Sequence, residues 1–165
     1  MCQHTIVYPG TFDPIHKGHV DLVERAASLF DKVVLGVADS AKKQPLFSTE
    51  ERIDLAERSL SHLENIEVKG FSGLSIRFVE DQGSNCVLRG IRTTADFEFE
   101  YQLANMNRAM NPKFESIFLT PTNDLSHISS TLVREIASMN GDIEDFVTPV
   151  VLAALKEKFA ANAGN

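Results

Sequence analysis

Apolar residues along the chain alternate between two kinds of pattern. Five short runs, Thr5–Tyr8, Lys32–Ala38, Asn65–Lys69, Asn85–Leu88 and Ser116–Leu119, are nearly continuous in apolar character, as strands covered on both faces are. Between them lie helical periodicities near Gly18–Phe30, Thr49–Leu60, Gly73–Asp81 and Asp96–Met110. The alternation predicts a doubly wound α/β fold, a Rossmann-like five-stranded parallel sheet with helices on both faces, as a single domain over residues 1–165. Ligands of such sheets bind beyond the carboxyl ends of the strands. Candidate chemistry is therefore sought where each strand ends.

The first strand runs into Tyr8-Pro9-Gly10-Thr11-Phe12-Asp13-Pro14-Ile15-His16-Lys17-Gly18-His19. A helix follows, with Val20, Val23, Ala27 and Phe30 at roughly helical spacing. A strand-to-helix turn of this kind can bring backbone N–H groups and the positive end of a helix dipole to an anion. His16 and His19 would project from the same side, and Gly18 between them leaves room for a phosphate. The competing reading is an ordinary glycine-rich loop with one capping and one buried histidine.

Later strand ends carry further polar clusters. After the second, Ala38-Asp39-Ser40-Ala41-Lys42-Lys43-Gln44-Pro45 offers a lysine pair, which is either solvated or part of the anion site. Ser48 or Thr49 then caps the next helix. Gly70-Phe71-Ser72-Gly73-Leu74-Ser75 reads as a connection. After the fourth strand, Arg89 and Arg92 stand astride Gly90 and Ile91. They suit a phosphate clamp of planar donors, or a surface salt-bridge role with Asp96, Glu98 or Glu100. The following helix is apolar on two sides, with Phe99, Leu103, Met106 and Met110 on one and Phe97, Tyr101 and Ala104 on the other. From the pattern alone it is either deep in the domain or shared with another subunit. Past the fifth strand, Ser129, Ser130 and Thr131 begin a helix continued by Leu132, Val133 and Ile136. One hydroxyl suffices for a cap, and a cluster on a helix N-terminus also suits a polyphosphate. Thr148 and Pro149 start a last, structural helix with Val151, Leu155 and Phe159 buried.

Composition narrows the function. A net charge of −7 over 165 residues argues against a general nucleic-acid surface, so an anion site must be a local basic pocket. No apolar run is long enough for a membrane span and Met-Cys-Gln-His does not begin a signal peptide, which predicts a cytoplasmic protein. Cys2 and Cys86 lie outside any C-x-x-C pattern, and Cys86 reads as a small core residue, so no disulfide or metal site is indicated. There is no G-x-x-x-x-G-K-S/T sequence and no activated serine or cysteine, which speaks against a P-loop kinase or a covalent enzyme.

The H-x-G-H sequence at His16–His19 and I-S-S-T-x-x-R at Ile128–Arg134 resemble the signatures of the nucleotidyltransferase superfamily. The longer run Y-P-G-T-F-D-P from Tyr8, together with R-G-x-R-x-x-x-D-F-E from Arg89, resembles the bacterial phosphopantetheine adenylyltransferase family more particularly. The resemblance implies Mg²⁺-dependent transfer of the adenylyl group of ATP to 4′-phosphopantetheine, with dephospho-coenzyme A and pyrophosphate as products, coenzyme A as a candidate inhibitor, and a homohexamer. It assigns His19, Lys43 and Arg92 to catalysis. ATP would meet Thr11, Phe12, His16, His19, Gly90, Ile91, Arg92, Glu100 and the stretch Leu125, Ser126, His127, Ile128, Ser129, Ser130 and Thr131. The acceptor would meet Thr11, Lys43, Ser75 and Arg89. Leu125 stands where the family often has an aromatic residue. Two alternatives stay open: a related adenylyl- or cytidylyltransferase with another phosphate acceptor, and a non-catalytic nucleotide sensor.

Overall fold

Each of the five apolar runs forms a strand in the structure, a computed structural model that describes residues 4–40 and 44–163. β1 (Thr5–Gly10), β2 (Lys32–Ala38), β3 (Ile66–Phe71), β4 (Cys86–Gly90) and β5 (Glu115–Leu119) form one sheet in the order β3-β2-β1-β4-β5. Every pairing is parallel. The chain builds outward from β1 through β2 to β3, then returns to the other side of β1 for β4 and β5. The strand order reverses between β1 and β4, and the carboxyl ends of those two strands therefore border a natural crevice.

The helices are α1 (Lys17–Leu29), α2 (Thr49–Ser59), α3 (Ser75–Asp81), α4 (Thr94–Met110), α5 (Ser130–Ser138) and α6 (Pro149–Ala163). Alternation along the strands divides the core. Ile6, Val33, Leu35 and Leu88 face one cluster with Val23 of α1, Leu55 of α2, Val133 of α5 and Leu155 of α6. Val7, Val34 and Val87 face the other, with Ile76 and Val79 of α3 and Phe114. Among the described residues no helix is long and apolar enough to cross a membrane.

Element bounds differ from expectation chiefly at strand ends. β1 continues through Pro9 and Gly10, which pair in register with Gly36 and Val37. β4 continues through Arg89 and Gly90, opposite Phe118 and Leu119. Sheet pairing overrides the local breaker residues, and places Arg89 on a strand rather than in a loop. Helix starts follow local chemistry. Ser48 caps α2 and Thr93 caps α4, each in a reciprocal box with Glu51 or Asp96 at the third helical position. α4 does not enter the core: Asn107 is its one buried residue, while Phe99, Tyr101, Met106 and Met110 are exposed on the single chain.

One charged side chain of α2 lies inside the protein. Arg52 is 1% exposed, and its guanidinium donates to the carbonyls of Thr11 (2.7 Å), Ala38 (2.8 Å), Phe47 (3.1 Å) and Ser48 (3.3 Å) and to the Thr49 hydroxyl (3.0 Å). It thereby joins the segment after β1, the end of β2 and the start of α2. Arg52→Met keeps the aliphatic volume and strands the Thr11 and Ala38 carbonyls without donors. The substitution is expected to lower unfolding free energy by on the order of 3 kcal/mol, read as a shift of the urea midpoint at constant slope.

Candidate active site

The turn between β1 and α1 is closed by its two histidines. His16 is the N-cap of α1, and its Nδ1 accepts the Gly18 N–H at 3.1 Å. His19 reaches back, its Nδ1 accepting the His16 N–H at 3.2 Å. The rings stack with centroids 3.6 Å apart and planes inclined by 24°. A Cβ on Gly18 would stand 3.0 Å from the His16 ring and 3.3 Å from the Leu125 carbonyl, so any larger residue would press on the stacked rings.

These contacts decide protonation. Burial, and then the Arg92 charge, lower the His16 pKa to about 3. Burial, His16 and Arg92 hold His19 well below the ordinary histidine value. Both rings are neutral near pH 7. With each Nδ1 accepting from backbone, the ring proton lies on Nε2, which makes Nε2–H the free donor of each imidazole.

The crevice in front of this turn has two lobes, of about 370 Å³ and 290 Å³. Tyr8, His19, Gly90, Ser130 and Thr131 line both and form the waist between them. The first lobe contains Thr11, Phe12, Asp13, Arg89, Glu100 and Arg134. The second contains His16, Arg92, Leu125, Ile128 and Ser129.

The arginines are held rather than loose. Arg89 Nε donates to Glu100 at 2.6 Å and Nη1 to the Pro9 carbonyl at 3.3 Å. Arg92 donates through Nη1 to the Ile128 carbonyl at 3.1 Å and through Nε to Asp96 at 3.4 Å. The salt-bridge reading and the anion-site reading thus coincide: carboxylates orient guanidinium groups that still line the crevice. The three hydroxyls of α5 divide their work. Ser129 caps the helix by accepting the Leu132 N–H at 3.2 Å, Ser130 donates to the Pro14 carbonyl at 2.9 Å, and Thr131 lines the waist.

The chain matches the family described as cytidylyltransferase-like over residues 7–136. A phosphopantetheine adenylyltransferase of Hahella chejuensis (strain KCTC 2396) is 55% identical over 158 residues, covering 96% of this chain and 98% of that one. The chain belongs to the phosphopantetheine adenylyltransferase family. The fold also matches a solved structure from Vibrio parahaemolyticus, described as a candidate nicotinate-nucleotide adenylyltransferase, with a TM-score of 0.69 at 16% identity over 95% of this chain and 94% of that one.

Not every residue singled out by likeness to the adenylyltransferase motifs reaches the crevice. Ser75 opens α3, beyond the end of β3, and lines neither lobe. The Ile91 N–H is taken by the Leu119 carbonyl at 2.9 Å. Ser126 bonds the Asn123 carbonyl, and the exposed His127 ring packs edge-on against Phe146. Lys43, with Lys42, lies outside the described residues. Cys86 is partly buried, and burial followed by Glu115 pushes its thiol pKa up, as suits a packing residue rather than a nucleophile.

Four residues of the site carried no assigned role in the sequence. The Asp13 carboxylate is 4% exposed and accepts the N–H groups of Leu46 at 2.8 Å and Phe47 at 3.0 Å. Arg134 pairs with it at 3.4 Å and donates to the Asp13 carbonyl. Arg52 holds the Thr11 carbonyl from behind. Tyr8 stands at the waist. Asp13 and Arg134 were visible as motif letters; nothing in the spacing could announce Arg52, 41 residues from its partner.

The neutral histidines make stability depend on pH. Below about pH 6.5 an unfolded histidine takes up a proton that native His16 refuses until about pH 3, so stability falls as pH drops through that window. His16→Asn retains a good N-cap and removes one such group. Urea titrations between pH 4 and 6 should show the stability slope of the variant reduced by about 1.4 kcal/mol per pH unit, one proton's worth.

Proposed function

We propose that the chain transfers the adenylyl group of ATP to 4′-phosphopantetheine, giving dephospho-coenzyme A and pyrophosphate, in coenzyme A biosynthesis in the cytoplasm. The observation that carries this reading is the two-lobed crevice with His19 at its waist, in a chain 55% identical to a phosphopantetheine adenylyltransferase. The lobe with Thr11 and Arg89 takes the acceptor phosphate. The lobe with His16, Arg92 and the α5 N-terminus takes ATP, its adenine toward Leu125 and its β- and γ-phosphates toward Ser129, Ser130 and Thr131.

A phosphate monoester is already anionic near neutral pH and needs no general base. Its oxygen attacks the α-phosphorus in line, and the bond to the bridging oxygen breaks with pyrophosphate leaving. The chain's part is position and electrostatics. His19 donates through Nε2–H to the reacting phosphoryl group, Arg92 supplies positive charge, and Arg89 orients the acceptor. Lys43 joins them in the proposed catalytic set. Mg²⁺ supplies further neutralisation of the triphosphate. Among the described residues no group of three or more His, Cys, Asp or Glu side chains could hold a metal ion. Asp13, Asp96 and Glu100 are engaged with protein donors. That donor set fits an ion carried mainly by ATP phosphates and water.

Pyrophosphate release from Mg-ATP should occur with 4′-phosphopantetheine and not with nicotinamide mononucleotide or glycerol 3-phosphate. His19→Ala should lower kcat on the order of 10²–10³. Release with another acceptor alone would retain the family chemistry and overturn the named substrate; near-normal turnover of His19→Ala would overturn the role of the ring.

We also propose a homohexamer, supported by the apolar residues that α4 leaves uncovered: Phe99 is 63% exposed, Met106 63% and Met110 55%. Native mass measurement is expected to give a six-chain species, and Phe99→Glu with Met106→Glu a smaller one. A wild-type monomer at micromolar concentration would refute the assembly.

A further inference from the structure

Tyr8 is placed for packing and carries a group that packing does not use. It lies at the carboxyl end of β1, 7% exposed. Its ring sits edge-on to Phe12 with centroids 5.2 Å apart and belongs to the main core cluster. Phenylalanine would fill that space equally well. The phenol oxygen has no hydrogen-bond partner among the described residues, although no side-chain nitrogen or oxygen there is sealed from solvent without one. The hydroxyl therefore opens to the crevice, and Tyr8 lines both lobes.

The surroundings explain why the opening exists. A Cβ on Gly90 would stand 3.5 Å from the Tyr8 oxygen and 2.6 Å from Leu22, so the missing side chain of Gly90 keeps the space before the hydroxyl clear. Arg89, Arg92 and Glu100 are the charges that act on the phenol, and the His19 ring lies 6.3 Å away. Burial outweighs the arginines and raises the phenol pKa, so the group remains a proton donor throughout the working range. Because the hydroxyl opens to the crevice, its proton is available to a ligand oxygen placed there.

We infer that the Tyr8 hydroxyl is a catalytic substrate contact, donating a hydrogen bond to a non-bridging oxygen of the phosphoryl group in transfer at the waist between the two lobes. This rests on the adenylyl-transfer reading of the same crevice. Acceptor phosphate in one lobe and triphosphate in the other meet where Tyr8 and His19 both stand. As the acceptor oxygen bonds to the α-phosphorus and pyrophosphate departs with the electron pair, negative charge grows on the equatorial oxygens. Tyr8 keeps its proton throughout and stabilises that charge alongside His19 Nε2–H.

Tyr8→Phe removes the hydroxyl alone. With Mg-ATP and 4′-phosphopantetheine, kcat is expected to fall about 10- to 100-fold, with both KM values within about twofold and the thermal midpoint held or raised. Turnover within about twofold of wild type would overturn the contact. So would a rise in KM with kcat unchanged, which marks uniform binding, or a fall in kcat accompanied by a lowered thermal midpoint, which marks a structural role. Wild-type protein with no turnover of these substrates would defeat the transfer reading and the contact together. Active wild type with an unaffected variant would defeat the contact alone.

Discussion

The crevice depends on a stretch of chain that makes no ladder of its own. Between the end of β1 and the start of α1, the backbone leaves the sheet and turns, with Phe12 at a φ of +48°. Two buried charged side chains hold it. Arg52 grips the Thr11 carbonyl and the end of β2 with one nitrogen, while Asp13 reaches the other way to the Leu46 and Phe47 N–H groups. The two connections cross: α2 holds the turn, and the turn holds the segment leading into α2. A guanidinium suits this because its planar fork presents donors in several fixed directions, which an ammonium on a flexible stem does not. The unfavourable φ of Phe12 persists because its surroundings over-determine it.

From that braced turn, α1 can start at a defined point, and the starting point sets the imidazoles. Capping by histidine is uncommon chemistry for a role usually taken by serine, threonine or aspartate. Here it serves two ends. The backbone N–H groups at the helix start are satisfied, and the ring protons are fixed on the outward nitrogens. The result is a crevice whose histidines are neutral donors and whose positive charge, among the described residues, comes from arginine, within a chain of net charge −7. Carboxylate partners hold Arg89 and Arg92 in place, so the charge is directed without being cancelled.

The sheet, its five strands and the strand-end location of the site were legible because buried parallel strands and amphipathic helices leave periodic marks. Short-range motifs were legible too. His16, His19 and Ser129 act within a few residues of themselves, so their spacing carries their geometry. Arg52 and Asp13 were not, since their partners lie on other elements and their sequence neighbourhoods look like an ordinary helix and turn. His127 shows the converse: adjacency to a motif in sequence does not bring a side chain to the crevice, because the Phe146 contact sets its position. α4 is a third case. Its two apolar faces suggested burial, which one chain does not supply.

The histidine pair has a consequence for purification and inhibition chemistry. Two imidazoles three residues apart at a helix start have the look of a chelate for a transition-metal ion. In this fold each Nδ1 lone pair is occupied by a backbone N–H and each Nε2 bears the proton, so neither ring offers a ligand without breaking the first turn of α1. Through these two rings, then, the folded chain offers zinc or nickel no free lone pair, whereas the unfolded chain does.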